Sequence, residues 1–191
     1  MNNAVQVRWA TVDDAERIAL VHVETWRAAY RGLIDDVVLD QLDVDARTQA
    51  WSERIANFPA GVPTAHDFGL THRVLVAEVD NQVWGWASFG AGRDEGDADH
   101  GELSGLYVHP SQWSQRLGHA LIERVEQELR DSQFSEAYLW VLFGNERAIR
   151  FYERHGWHAD GTEKVGAAGG ASGLRELRHV RRLDEVTQPR R

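Results

Sequence analysis

An apolar strand that runs into a proline and turns into a helix constrains this chain more than any other feature. Residues 102–120 read Glu-Leu-Ser-Gly-Leu-Tyr-Val-His-Pro-Ser-Gln-Trp-Ser-Gln-Arg-Leu-Gly-His-Ala. Tyr107 and Val108 close the strand, because Pro110 has no N–H to give to a sheet ladder. Leu117, Leu121, Val125 and Leu129 then recur at the spacing of one helical face. Gly118 falls where that helix is expected to begin. A helix start presents unpaired N–H groups and the positive end of the macrodipole, and a residue without Cβ lets an anion come close to them. The junction therefore predicts an α/β chain that holds a pyrophosphate at the head of this helix.

At 191 residues and 42% hydrophobic, the chain can bury one sizeable core, and residues 1–191 are read as a single domain. Val5 to Ala10 is a first strand, and Thr11 with Asp14 opens a helix through Tyr30, stopped by Gly32. A second helix is predicted from Val37 to Phe58, ended by the Pro/Gly-containing segment 59–69. Arg73–Val79 and Val83–Phe89 form a hairpin across Asp80-Asn81-Gln82. The acidic, glycine-containing stretch 90–101 reads as a mobile loop. After the junction helix, which runs to about Arg130, come a strand from Ala137 to Phe143 and a short helix from Asn145 to His155, capped by Gly156. The low-complexity run 166–173 reads as a connection to a final strand, Leu174 to Leu183.

Two ordered motifs go beyond this outline. Gln115, Gly118 and Ala120 fill the places of a Gln/Arg-x-x-Gly-x-Gly/Ala loop, and Asn145, Ala148, Phe151, Tyr152, Gly156 and Trp157 follow Asn-x-x-Ala-x-x-Phe-Tyr-x-x-x-Gly-Phe. In both, over roughly residues 5–183, the chain resembles the GNAT superfamily of acyl-CoA-dependent N-acyltransferases. Arg116 departs from the glycine that many members carry there, which stiffens the loop and leaves its backbone donors in place. The resemblance implies an α/β fold in which a central, mostly antiparallel mixed sheet, splayed between its fourth and fifth strands, is flanked by about four helices. The tail 184–191 is expected to be disordered. The resemblance further implies acetyl-CoA as acyl donor, held by Leu106, Tyr107, Val108, Gln115, Arg116, Leu117, Gly118, His119, Ala120, Asn145, Ala148 and Tyr152. Transfer would go directly to a primary amine in a ternary complex.

Such a transfer has three chemical needs. An alkylammonium with a pKa near ~10.4 must lose a proton, the oxyanion needs hydrogen-bond donors, and the departing thiolate benefits from a proton. Glu102 matches the place where several family members carry the base, although an edge glutamate paired with a surface cation accounts for it equally well. Asp94, Glu95, Asp97 and Asp99 read as solvated, with room for one to guide a cationic acceptor. Tyr152 matches the tyrosine that faces the coenzyme sulfur as general acid; the alternative is a core aromatic. Asn145 suits both a helix N-cap and a contact to the pantetheine arm. The backbone of Leu106, Tyr107 and Val108 is expected to pair with that arm like an added strand, with Gly105 marking a bulge. His22, Trp26 and Tyr30 form a stripe at i, i+4 steps. Such a stripe is more often core than pocket, yet in the resembling family this helix walls the acceptor site, and aromatic faces suit a cationic amine.

Composition excludes several alternatives. Zero cysteines remove disulfides, thiolate metal sites and a cysteinyl acyl intermediate. None of the nine histidines has a compact ligand spacing, so no metal is expected. A net charge of −9 argues against nucleic acid as the main partner and tolerates a cationic small-molecule acceptor. No apolar run reaches the roughly 18 residues that span a bilayer. Met1-Asn-Asn-Ala lacks the regions of a signal peptide, and a cytoplasmic protein without a membrane partner is expected. Dimerisation is common in the resembling family, and a homodimer is compatible with this sequence. The alternative to an enzyme is a catalytically weak acyl-CoA sensor or interaction module of the same fold. Gln115, Gly118, Asn145 and Tyr152 together favour the enzyme.

Overall fold

A computed structural model describes residues 4–57 and 72–184. Phe58, the segment 59–69 and the tail from residue 185 onward lie outside the described residues. Strand β1 (Gln6–Trp9) leads through a 3₁₀ turn at Val12–Asp14 into helix α1 (Ala15–Ala29). The turn is fixed by the Thr11 N–H, which donates to Asp14 Oδ2 at 2.8 Å, and by Arg8, which pairs with the same carboxylate at 2.7 Å. Beyond α1 the Tyr30 carbonyl takes the N–H groups of Leu33 and Ile34, and Gly32 makes the reversal at φ 80°.

The second predicted helix is two helices, α2 (Asp36–Asp40) and α3 (Val44–Asn57). Asp43 Oδ1 accepts the Ala46 N–H at 2.7 Å and so starts a new helix, as Asp35 does for α2 through Val37 N–H at 2.9 Å. Apolar spacing conceals the break because Leu39 of α2 and Leu42 of the connector enter the same core cluster. Strands β2 (Arg73–Val79) and β3 (Gln82–Ala91) turn on Asp80 and Asn81 at φ 53° and 60°, as a type I′ hairpin requires.

The order then follows the sequence reading: β4 (Gly101–Val108), α4 (Leu117–Asp131), β5 (Glu136–Leu142) and α5 (Glu146–Arg154). The stretch expected to be a mobile loop is tied down instead. Asp94 Oδ2 takes the Trp140 Nε1–H at 2.7 Å, and Asp97 pairs with Arg178 at 2.7 Å. The run 166–173 is likewise no connection. It ends β6 (His158–Ala168), turns at Gly169-Gly170 and begins β7 (Ala171–Arg182). Strand β6 lies at the sheet edge and is exposed along most of its length, so no apolar alternation marks it in the sequence.

The sheet has seven strands in the order β1-β2-β3-β4-β5-β7-β6. All neighbours are antiparallel except β4 and β5, which are parallel and paired only at Gly101–Ala137 and Glu102–Tyr138. Past those pairs the two strands diverge, as the expected splay requires. Leu117, Leu121, Val125 and Leu129 of α4 cover one face, against Leu75, Ala87 and Leu103. Burying each such leucine contributes roughly 1.5–3 kcal/mol. Ile18 and Ala19 of α1 and Trp51 of α3 cover the other, against Val74, Val76 and Trp86.

Candidate active site

The gap between β4 and β5 is a cavity of about 650 Å³. Its wall is built from Leu103 to Val108 of β4, Trp140 and Val141 of β5, the head of α4, the inner face of α5 and Tyr30 after α1. At the head of α4 the Ala120 N–H donates to the Arg116 carbonyl at 3.0 Å, so the N–H groups of Leu117, Gly118 and His119 have no intrahelical acceptor. The helix begins one residue earlier than expected. Arg116 caps it at φ 68°, in the left-handed region that costs an L-residue roughly 1–2 kcal/mol, which explains why glycine is the commoner choice in the resembling motif. Gly118 has a second reason to lack a Cβ: one built there would stand 3.3 Å from the Phe151 ring. Glycine thus lets α4 close on α5 as well as exposing its N–H.

The wall is cationic although the chain carries a net charge of −9. Arg116, Arg147, Arg150 and Arg154 line the cavity, and among the described residues no carboxylate does. The last three follow one another at i, i+3, i+7 on α5, a spacing that the sequence itself carries. Arg147 lies 3.8 Å over the Trp113 ring, and Trp113 Nε1 donates to the Val108 carbonyl at 2.7 Å, so the charge is held against the end of β4. His119 and His155 meet at 2.9 Å on the same wall.

Of the residues expected to hold the coenzyme, Leu106, Tyr107, Val108, Arg116, Leu117, Gly118, His119, Asn145, Ala148 and Tyr152 lie on this wall, whereas Gln115 and Ala120 do not. Gln115 is exposed, with its N–H turned to the Gln112 carbonyl at 3.3 Å. The Val108 carbonyl is also taken by Thr25 Oγ1 at 3.1 Å, which leaves Leu106 and Tyr107 to offer backbone groups. The register against β3 slips by one residue between Leu103 and Gly105, so Ser104 is the extra residue of the bulge expected at Gly105. Asn145 Oδ1 accepts the Ala148 N–H at 3.2 Å and caps α5 from the wall. Tyr152 is 8% exposed, and burial, with Tyr107 nearby, holds its hydroxyl well above the usual phenol range.

Three expected residues sit elsewhere. His22 is enclosed by Trp26, Trp51, Trp86 and Tyr107 and accepts the Trp51 Nε1–H at 3.3 Å; burial, helped by Arg47 and Arg54, lowers its pKa to about 3. Trp26 packs into the core with Ile34 and Leu39. Only Tyr30 of that stripe reaches the cavity, its hydroxyl 3.2 Å from that of Tyr107. Glu102 is not on the wall either. Its buried carboxylate takes Arg93 Nε at 2.8 Å and Arg93 N–H at 3.2 Å, with the Tyr138 hydroxyl at 3.4 Å. The pair anchors the 92–100 loop, so Glu102→Gln is expected to lower stability. Losing one partner of a buried pair costs about 3–5 kcal/mol, but Arg93 is 43% exposed and solvent screens it, so about 1–2 kcal/mol is expected. Calorimetry should record a fall of a few degrees in Tm with coenzyme affinity unchanged. An unshifted Tm would free Glu102 from this structural role.

The sequence matches the Acetyltransferase (GNAT) family over residues 38–157. The chain belongs to the GNAT family. It is 31% identical over 151 residues to YuaI, an uncharacterized N-acetyltransferase of Bacillus subtilis, covering 79% of each chain. The fold of this GNAT protein superposes on that of the PaiA N-acetyltransferase of Thermoplasma acidophilum, solved with coenzyme A, at a TM-score of 0.71, with 16% identity and coverage of 92% of this chain and 98% of that one. It also superposes on YncA of Salmonella typhimurium, solved with its cofactor acetyl-CoA, at a TM-score of 0.64, with 25% identity and coverage of 98% and 99%. No helix among the described residues is long and apolar enough to cross a membrane.

Proposed function

We propose that this chain is a cytoplasmic N-acetyltransferase that moves the acetyl group of acetyl-CoA to a primary amine of a small molecule or peptide by direct attack in a ternary complex. The observation that carries this reading is the arginine-lined cavity at the β4/β5 splay, where the head of α4, the free edge of β4 and Tyr152 meet. When bound, acetyl-CoA supplies an activated thioester carbonyl. The N–H groups of Leu117, Gly118 and His119, with Arg116, Arg147, Arg150 and Arg154, hold its phosphates. Leu106 and Tyr107 offer the backbone that pairs with the pantetheine arm, and Asn145 and Ala148 flank it. Tyr152 donates a hydrogen bond to the sulfur as the thiolate leaves. Because burial raises its pKa, the phenol keeps its proton and stabilises the leaving group without surrendering it. Tyr30 offers an aromatic face to the acceptor, which suits a cationic amine.

Thiol release from acetyl-CoA across a panel of amines, with the product mass checked for one added acetyl group, tests the reading. Tight coenzyme binding without turnover on any amine would instead favour a sensor or interaction module. The coenzyme site has its own test in Gly118→Val. A branched side chain would press on Phe151 and stand over the N–H groups that face the phosphates. Acetyl-CoA affinity is expected to fall tenfold or more, about 1.4 kcal/mol, by titration calorimetry. A folded variant with full affinity would place the phosphates elsewhere.

A further inference from the structure

Among the described residues no carboxylate lines the cavity, and a base that sits behind the wall would reach the amine through a wall group. Ser104, the extra residue of the β4 bulge, lies on the wall, and its Oγ stands 2.9 Å from His72 Nδ1. The imidazole is 2% exposed. Its other nitrogen, Nε2, is 3.0 Å from the Ala91 carbonyl and 3.5 Å from Glu102 Oε2. A carbonyl oxygen can only accept, so Nε2 carries a proton and the neutral ring presents a lone pair at Nδ1 toward Ser104. Ser104 Oγ also lies 3.0 Å from the Ser88 carbonyl.

This arrangement is satisfied in two proton states. With a neutral ring the Ser104 hydroxyl donates to Nδ1. With a protonated ring Nδ1–H donates to Oγ, and the hydroxyl turns to the Ser88 carbonyl. The ring nitrogens and the serine hydroxyl keep a partner in either state, which is what a proton relay needs.

We propose that Ser104 and His72 relay the acceptor's proton away from the reacting nitrogen, with Glu102 and the Ala91 carbonyl orienting the ring. This rests on the acetyltransferase reading above. As the amine nitrogen bonds to the acetyl carbon, its N–H proton passes to Ser104 Oγ and the serine's own proton passes to His72 Nδ1, leaving an imidazolium beside the Glu102 carboxylate. Return of the serine to its neutral bonding follows when the buried ring hands the proton back through Ser104 Oγ to water that enters as the products leave. Ser104 is the catalytic residue and His72 the positioning residue behind it. The charged groups that bear on the ring are Arg93 of the 92–100 loop, Glu102 of β4 and Arg54 of α3. Burial first, and then Arg93, lowers the ring's pKa to about 4, so at neutral pH it waits in the accepting form. The Arg93–Glu102 pair thus has a second task, keeping a carboxylate beside the ring without letting it dominate.

Ser104→Ala removes the relay with the smallest change in volume, and Ser104→Thr restores the hydroxyl. With acetyl-CoA and n-butylamine, kcat/KM of Ser104→Ala is expected to fall at least tenfold at pH 7. The deficit should narrow as pH rises toward about 10, where hydroxide can take the proton that the nitrogen sheds as it bonds. Ser104→Thr should recover most of the loss. Nitrogen NMR of the histidine-labelled protein reads the arrangement without turnover: Nδ1 of His72 should be unprotonated at pH 7, and its shift should move in Ser104→Ala. A protonated Nδ1, or equal rates for wild type and Ser104→Ala across the pH range, would overturn the relay and leave the acetyltransferase reading intact. Failure of the wild type to bind acetyl-CoA would overturn that reading instead, and the relay with it.

Discussion

Tyr152→Phe is expected to lower acetyl transfer about a hundredfold while leaving acetyl-CoA affinity as it is. The substitution removes one hydroxyl and keeps a ring that is 8% exposed and packed against Phe151 at 5.3 Å between centroids, so the wall and the fold should persist. A factor of a hundred corresponds to about 2.7 kcal/mol of transition-state stabilisation, and it lies at the lower end for the loss of one hydrogen-bond donor to developing charge because a thiolate leaves fairly well unaided. The pH dependence distinguishes this residue from the Ser104 relay. Burial, with Tyr107 adding to it, raises the Tyr152 pKa above the ordinary phenol value, so the hydroxyl stays protonated from acid to well past neutrality. The deficit in Tyr152→Phe should therefore be flat with pH, whereas that of Ser104→Ala should narrow as pH rises. Steady-state kinetics with the best amine found, paired with calorimetric coenzyme affinities, settles it. Undiminished turnover would make Tyr152 a core aromatic only.

What the sequence disclosed, and what it withheld, has a common physical origin. The β4–α4 junction was legible because proline, glycine and a strict apolar spacing are local signals, and the same is true of the Asp80-Asn81 turn and the Asn145 cap. Signals that depend on tertiary partners were not. Strand β6 has one strand beside it and solvent on most of its surface, so it carries no period to read. Trp26 and His22 share a helical stripe with Tyr30, but the stripe rotates around α1 as it passes from core to cavity, and only its last member emerges. Glu102 is legible in the sequence as a member of its strand. Its carboxylate, however, is committed to Arg93, a residue nine positions earlier in a stretch that reads as loose. His72 and Ser104 could not have been joined from sequence at all: 32 residues and two strands separate them, and the bulge that turns Ser104 toward the ring is a property of the β3/β4 register.

The part of the chain that holds Tyr152 in place is expected to fail first when Trp157 is removed. Trp157 follows α5 directly and is 0% exposed, and the Gly156 before it, at φ 79°, turns the chain where a Cβ would strike the Arg181 guanidinium. Its N–H closes the α5 cap on the Tyr152 carbonyl at 3.1 Å, and its Nε1 donates to Glu126 Oε1 of α4 at 3.0 Å. The ring is thus the link between the helix carrying Tyr152 and Arg147 and the helix whose head receives the phosphates. Trp157→Ala opens a cavity in the largest core cluster and should cost about 3–5 kcal/mol. For a domain of this size that is a fall in Tm of roughly 6–20 °C, measurable by scanning calorimetry. Trp157→Phe separates packing from the hydrogen bond, because it keeps most of the volume while Glu126 retains Arg130 at 3.1 Å. Its cost should be nearer 1–2 kcal/mol, the value of a buried hydrogen bond plus a small void. Equal losses in the two variants would mean that the bond to Glu126, not the filled core, joins α5 to α4. A loss below about 1 kcal/mol in Trp157→Ala would remove Trp157 from the core altogether, and with it the reason that Tyr152 points where it does.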